Sequence, residues 1–162
     1  MKKIILIAFS SLLVLSLVAF NFSAEEVKVS STEIKWYTLE EAIQANQKSE
    51  KKLFIDFYTD WCGWCKVMDQ KTFTNPEVIK YMNKKFYAVK FNAEQREPIT
   101  FKGKKYEFIP GGRRGIHGLA YNLLNSNASY PSFVVLDTDL NRQNIIKGYK
   151  APQPFLEILD NH

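Results

Sequence analysis

Two hydrophobic rhythms alternate along the chain. Leu39, Ala42, Ile43 and Ala45 recur at helical spacing behind Thr38-Leu39-Glu40-Glu41. That tetrad is a capping-box pattern, with Thr38 as N-cap and Glu41 reaching back, and it predicts a helix to about Lys48. Lys35-Trp36-Tyr37 ahead of it reads as a short strand. Leu53 to Tyr58 is apolar throughout except for Asp56, as in a central strand covered on both faces. A helix is expected from Cys62 to about Lys71, broken by Thr72-Phe73-Thr74. Asn75 as N-cap and Pro76 at the first helical position open the next helix. Val78, Ile79 and Met82 form its apolar stripe, and Lys84 and Lys85 sit at its negative end. Phe86 to Asn92 alternates and reads as a strand.

Residues 94–114 break the rhythm. Ile99 to Lys102 and Lys105 to Ile109 flank Gly103-Lys104, which predicts a β-hairpin. Its lysines, with Arg113 and Arg114, make the segment basic. It is either a solvated insertion or a docking surface for an acidic partner. Ile116 to Leu124 has helical spacing. Ser132 to Asp137 is another buried-strand run, entered through Tyr130-Pro131, and a cis peptide would account for a proline at that place. Asn144 to Lys147 is the last strand, and Pro152-Gln153-Pro154 opens a final helix from Phe155 to Leu159.

The N-terminus changes the picture of what is folded. Lys2 and Lys3 precede an apolar run from Ile4 to Phe20, then small residues Ser23 and Ala24. This is the layout of a secretory signal peptide over residues 1–24, with an uncleaved membrane anchor as the alternative. Residues 25–33 read as a linker and 34–162 as one domain carrying the insertion 94–114. Without Lys2 and Lys3 the net charge falls from +5 to +3, weak grounds for nucleic-acid binding. Export implies an oxidising compartment, periplasmic or otherwise extracytoplasmic.

The only two cysteines in the chain are Cys62 and Cys65. A strand ending in a tight turn that opens a helix places Cys62, accessible, at the helix N-terminus, where partial positive charge favours a thiolate. Cys65 lies one turn on and can close a short disulfide. A bridge across two residues constrains little chain, so a purely structural role is the poorer account. Asp56 is a carboxylate inside a core strand, costly unless its protonation is used. The bland alternative is an edge position facing water.

The run Phe54-Ile55-Asp56-Phe57-Tyr58-Thr59-Asp60-Trp61-Cys62-Gly63-Trp64-Cys65-Lys66 resembles the active-site strand, turn and helix of the thioredoxin superfamily. Tyr130-Pro131-Ser132-Phe133 looks like its cis-proline loop. Thr72 to Val78 is similar to a subgroup that includes the C-terminal domain of the thiol–disulfide interchange protein DsbD. The resemblance covers about residues 34–160. It implies an α/β thioredoxin-like fold, a central mixed sheet flanked by helices, with the hairpin inserted before the cis-proline helix. It also implies that Cys62 attacks, Cys65 resolves and Asp56 relays a proton to or from Cys65. Lys90 matches a lysine near that acid. Pro131, with Tyr130, Gly63 and Trp64, would help dock substrate, Trp61 would shield the site and Lys66 would support it. Gly63-Trp64 stands where thioredoxin has Gly-Pro, and adds no charge that would set the direction.

The implied activity is protein-disulfide reduction outside the cytoplasm. It needs no cofactor or metal, takes disulfide-containing proteins as partners and calls for a membrane thiol electron donor. Rival readings are an oxidant or isomerase on the same fold, a CxxC metal-binding module, and a docking module with incidental thiols. For the metal reading only His117 and His162 could add imidazole, and both look remote from the cysteines; His117 reads as a surface or packing residue.

Overall fold

The computed structural model describes residues 31–161, so the expected signal segment 1–24 and most of the linker lie outside the described residues. Nine strands and five α-helices run in the order β1 (Trp36–Tyr37), α1 (Leu39–Lys48), β2 (Lys52–Tyr58), α2 (Gly63–Val67), a π-helical turn (Met68–Thr72), α3 (Pro76–Lys85), β3 (Phe86–Asn92), β4 (Ile99–Phe101), β5 (Lys104–Tyr106), β6 (Phe108–Ile109), β7 (Ile116–His117), α4 (Gly118–Leu123), β8 (Ser132–Leu136), β9 (Arg142–Lys147) and α5 (Pro152–Asp160) among these residues. Five strands form the central mixed sheet, ordered β1-β3-β2-β8-β9. β1 and β2 run parallel to β3, while β8 runs antiparallel to both β2 and β9. This is a thioredoxin-like α/β fold.

The pleat of β2 divides its side chains between two cores. Leu53, Ile55 and Phe57 enter the core that α1 and α4 cover. Phe54 enters the other, with Met68 of the π-helical turn, Met82 of α3 and Phe155 of α5. Asp56, two residues from Phe54, therefore points to the face that carries the α2–π helix, since side chains two apart share a face. The Phe54 ring meets Phe73, Phe133 and Phe155 at centroid separations of 6.4, 5.4 and 5.7 Å. Contacts of this kind add about 0.5–1.5 kcal/mol per pair beyond area burial.

Caps fix the helices where the sequence predicts. Thr38 and Glu41 close the reciprocal capping box of α1. The Asn75 side chain accepts from the Glu77 and Val78 amides at the start of α3.

Three expectations are corrected. The helix predicted to run regularly from Cys62 to Lys71 becomes α2 and then a π-helical turn, in which the Phe73 amide donates to Met68 O at 2.9 Å. The wider turn lets Met68 and Thr72 both face inward, and Thr72 donates its hydroxyl to Lys150 O at 2.6 Å. The single hairpin expected over 99–109 is two short antiparallel pairs instead. β4 pairs with β5 around Lys102 and Gly103, both at positive φ, and β6 pairs with β7. Glu107, between them, gives its carbonyl to the Gly118 amide, which ends the first ladder. Finally, α4 begins at Gly118 rather than Ile116, because His117 is its N-cap, accepting the Leu119 amide at Nδ1. His117 is a packing residue, buried with its ring against Phe91.

Candidate functional site

The site lies at the C-terminal end of β2. The chain turns at Thr59–Cys62, with the Cys62 amide donating to Thr59 O at 3.1 Å. Cys62 then caps α2, its sulfur accepting the Cys65 amide at 3.1 Å. The two residues are joined as a disulfide with a Cα–Cα separation of 5.3 Å. Both are only 4% exposed. The expected accessible Cys62 sulfur is thus nearly covered in the oxidised state, because bonding to Cys65 and to its amide turns the sulfur toward the helix. The neighbouring Gly63 leaves an opening there: a Cβ on it would meet no atom within 4 Å.

Two tryptophans flank the disulfide and stand out into solvent, Trp61 50% and Trp64 61% exposed. The Trp61 ring meets Tyr130 edge-on at 6.0 Å, and Trp64 leans on Tyr149 at 5.5 Å. The Tyr130–Pro131 peptide is cis. Ser132 pairs with Phe57, so Pro131 sits at the same end of the sheet as the turn that carries the cysteines. Its carbonyl accepts the Gly148 amide at 2.8 Å. Burial, and then the nearby Glu94 carboxylate, push the Tyr130 phenol up to about 12.

Beneath the helix, Asp56 is 1% exposed, so the water-facing alternative for it does not hold. It lies opposite Lys90 in the β2–β3 ladder, and its Oδ2 accepts from Lys90 Nζ at 2.8 Å. Its Oδ1 has no hydrogen-bond partner among the described residues. Desolvation raises the Asp56 carboxyl to about 6, against the pull of the Lys90 ammonium in the other direction. For Lys90, burial works to lower the pKa, but its two carboxylate partners outweigh it and the ammonium is held above its ordinary value. The second partner is Asp69, on the π-helical turn. The rings of Trp36, Phe73 and Tyr58 surround the same ammonium at 4.8, 5.3 and 5.5 Å.

Cys62, Cys65, Trp61, Gly63 and Trp64 thus occur in one short turn and helix, with Tyr130 and Pro131 at the same sheet end and Asp56 and Lys90 paired below. Lys66 is exposed and joins no ion pair among the described residues. Sequence reasoning missed Asp69, although its position one helical turn after Cys65 was a usable signal. It also missed Glu94, which takes the Trp61 indole N–H at 2.9 Å, and the placing of Arg114, read only as part of a basic segment, on the same ring. No local pattern links those two to Trp61. Among the described residues no cluster of three or more His, Cys, Asp or Glu side chains could hold a metal ion.

A mixed sheet, a disulfide capping the helix after its central strand and a close cysteine pair define a thioredoxin-fold protein with a centre suited to redox chemistry. The chain belongs to the Thioredox_DsbH family, described as proteins of unknown function (DUF255), whose pattern it matches over residues 22–106. Among curated proteins it is 33% identical to the uncharacterized protein B0495.5 of Caenorhabditis elegans over 67 residues, 41% of this chain and 9% of that protein. It is 42% identical to the thiol:disulfide interchange protein DsbD of Photorhabdus laumondii over 43 residues, 26% of this chain and 7% of DsbD. The chain spans less than a tenth of the length of either relative. Among solved structures, a DsbH oxidoreductase superposes with a TM-score of 0.59 at 14% identity, covering 83% of this chain and 87% of that one. A thioredoxin of Thermus thermophilus also gives 0.59, at 18% identity, over 80% and 86% of the two chains. These two structures share the fold.

Proposed function

We propose that this protein is a thiol–disulfide oxidoreductase that reduces disulfides in other proteins outside the cytoplasm. One observation carries it: the chain's only cysteines form a disulfide that caps α2, at the sheet end that also holds the cis Tyr130–Pro131 peptide. In the reduced protein, the helix end and the Cys65 amide favour a Cys62 thiolate. That thiolate attacks one sulfur of a partner disulfide, and the other sulfur leaves as a thiolate. Cys65 then loses its proton, attacks Cys62 Sγ and frees the partner with two thiols. Two electrons have passed to the partner, and the site returns to its disulfide form.

Asp56 takes the Cys65 proton in that second step. A carboxyl at about 6 is largely ionised at neutral pH yet close enough to return the proton. Lys90 holds it in place. Trp61, Tyr130 and Pro131 on one side and Gly63 and Trp64 on the other receive the partner's backbone around its disulfide. Lys66 adds positive charge on the exposed side of α2.

The stretch shared with DsbD, a thiol:disulfide interchange protein, supports exchange with partner disulfides, and the equilibrium with glutathione decides its direction. A reductase in an oxidising compartment needs renewal, which a membrane thiol donor would supply. Equilibration of the Cys62–Cys65 pair with glutathione tests the direction. A potential near that of thioredoxin, about −270 mV, is expected, and one above about −150 mV would make the protein an oxidant. Insulin reduction by the wild type and by Cys62→Ala tests the activity itself.

A further inference from the structure

The insertion returns to the site at Arg114. Its guanidinium carbon lies 5.1 Å from the centroid of the Trp61 ring, and Trp61 adjoins Cys62. Glu94, from the start of the same insertion, accepts the indole N–H with Oε1, while its Oε2 is 4.0 Å from Arg114 Nη1. The two charges are not equally presented. The Glu94 side chain is 19% exposed and one of its oxygens is committed to the indole, whereas Arg114 is 56% exposed. Arg113 beside it is exposed as well. Gly115 fixes the bend that follows: it has φ +75°, and a Cβ there would lie 2.4 Å from the Phe108 ring and 2.7 Å from Ile109 O. The rim of the disulfide on the Trp61 side therefore presents a positive charge on an aromatic platform, held by the segment that the sequence marks as an addition to the plain fold.

Resting on the assignment of Cys62 as the attacking sulfur, we propose that Arg114 selects substrates by charge, favouring disulfides in extended polypeptide flanked by Asp or Glu. A carboxylate beside the substrate cysteine meets the exposed guanidinium in charge-assisted, two-point hydrogen bonding, which an Arg fork suits and a neutral amide does not match. A substrate Lys or Arg at the same place is repelled and has only the mostly covered Glu94 to answer it. Arg114 exchanges neither electrons nor protons. The S–S bond of the substrate breaks, the one between Cys62 and Cys65 forms, and the guanidinium acts on encounter and orientation.

The test uses the reduced full-length protein and three cystine peptides of one sequence, flanked by Asp, Asn or Lys. Their reduction is followed by chromatography, and each rate is divided by the rate with dithiothreitol to remove intrinsic thiol effects. The expected order is Asp over Asn over Lys, by about fivefold per step at low salt, the scale of one exposed unit-charge contact. The ratios converge at ~1 M salt, where the screening length is about 3 Å. Arg114→Glu inverts the order, slowing the Asp peptide and speeding the Lys peptide, opposite changes that a merely loosened loop would not give. Ratios equal across the three peptides, or an order unmoved by Arg114→Glu, overturn the proposal while leaving the oxidoreductase intact. If none of the peptides is reduced faster than by Cys62→Ala, the oxidoreductase assignment falls with it. Should Arg114→Glu fail to fold, the salt series on the wild type decides.

Discussion

Replacing Asp56 by Asn should stabilise this protein, and only above acidic pH. The carboxyl stands at about 6 in the folded chain, chiefly because it is desolvated, against a value of 3.8 when solvated. Between those values the native state binds more protons than the unfolded chain. Stability therefore falls as pH rises through the window, and the loss is complete above about pH 7. The gap between 3.8 and about 6, at ~1.4 kcal/mol per pH unit, makes the ionised Asp56 cost about 3 kcal/mol at pH 8. At pH 4 the same linkage leaves less than about 1 kcal/mol. The residue is 1% exposed, so little solvent screening reduces the figure. Asn has nearly the shape of the protonated acid, and Lys90 keeps Asp69 and its aromatic neighbours when Asp56 is neutralised. Urea unfolding of the oxidised protein at pH 4 and pH 8, with m-values compared to exclude a change in the unfolded state, measures the effect. A variant less stable than wild type at pH 8, or a gain of equal size at both pH values, would refute the claim that desolvation sets this carboxyl. If Asp56 takes the Cys65 proton as proposed, the same variant should also slow release of the partner.

Other perturbations have equally definite outcomes. Cys65→Ala should accumulate mixed disulfides through Cys62 when exposed to exported proteins, and Cys62→Ala should give few or none on non-reducing gels. Lys90→Met removes the counter-charge of Asp56 and should move its titration above 6, readable from the carboxyl carbon shift by NMR. His117→Ala loses a helix cap, a contact to Glu97 O and ring packing on Phe91, and should cost about 2–4 kcal/mol in chemical denaturation. Burial lowers the His117 pKa, so the wild-type histidine contributes stability that is lost as pH falls below about 6.5, the solvated value; a variant whose deficit stays constant from pH 8 to pH 5 would contradict this. Gly115→Ala should destabilise by about 1–3 kcal/mol through its φ of +75° and the Phe108 clash, and should expose the 110–114 loop to trypsin at Arg113 and Arg114.

Much of this arrangement was visible in the residues themselves. The caps at Thr38 and Asn75, the strand from Leu53 to Tyr58 and the inward Asp56 follow from local chemistry and from the two-residue pleat, and the structure has them there. What escaped was set by contacts distant in sequence. The π-helical turn depends on Thr72 reaching Lys150 O, 78 residues away. The split of the expected hairpin depends on Glu107 O meeting the Gly118 amide, which no periodicity within 99–109 encodes. His117 carries a polar ring, and nothing local says that both its nitrogens will be used by backbone groups. Glu94 and Arg114 meet at Trp61 only because the chain from 94 to 114 leaves and returns at the same place.

The facing of Asp56 by Lys90 across the two innermost parallel strands has a consequence before any chemistry begins. If these strands zipped together two positions out of step, the acid would be left opposite Ala88 or Asn92, and the amine beside Phe54 or Tyr58. Either mismatch strands an uncompensated charge in an apolar interior, a penalty of several kcal/mol that purely aliphatic partners would not impose. The Asp56–Lys90 pair thus acts as a key for strand alignment, and a chain with both positions made apolar could gain stability while losing its single way of closing.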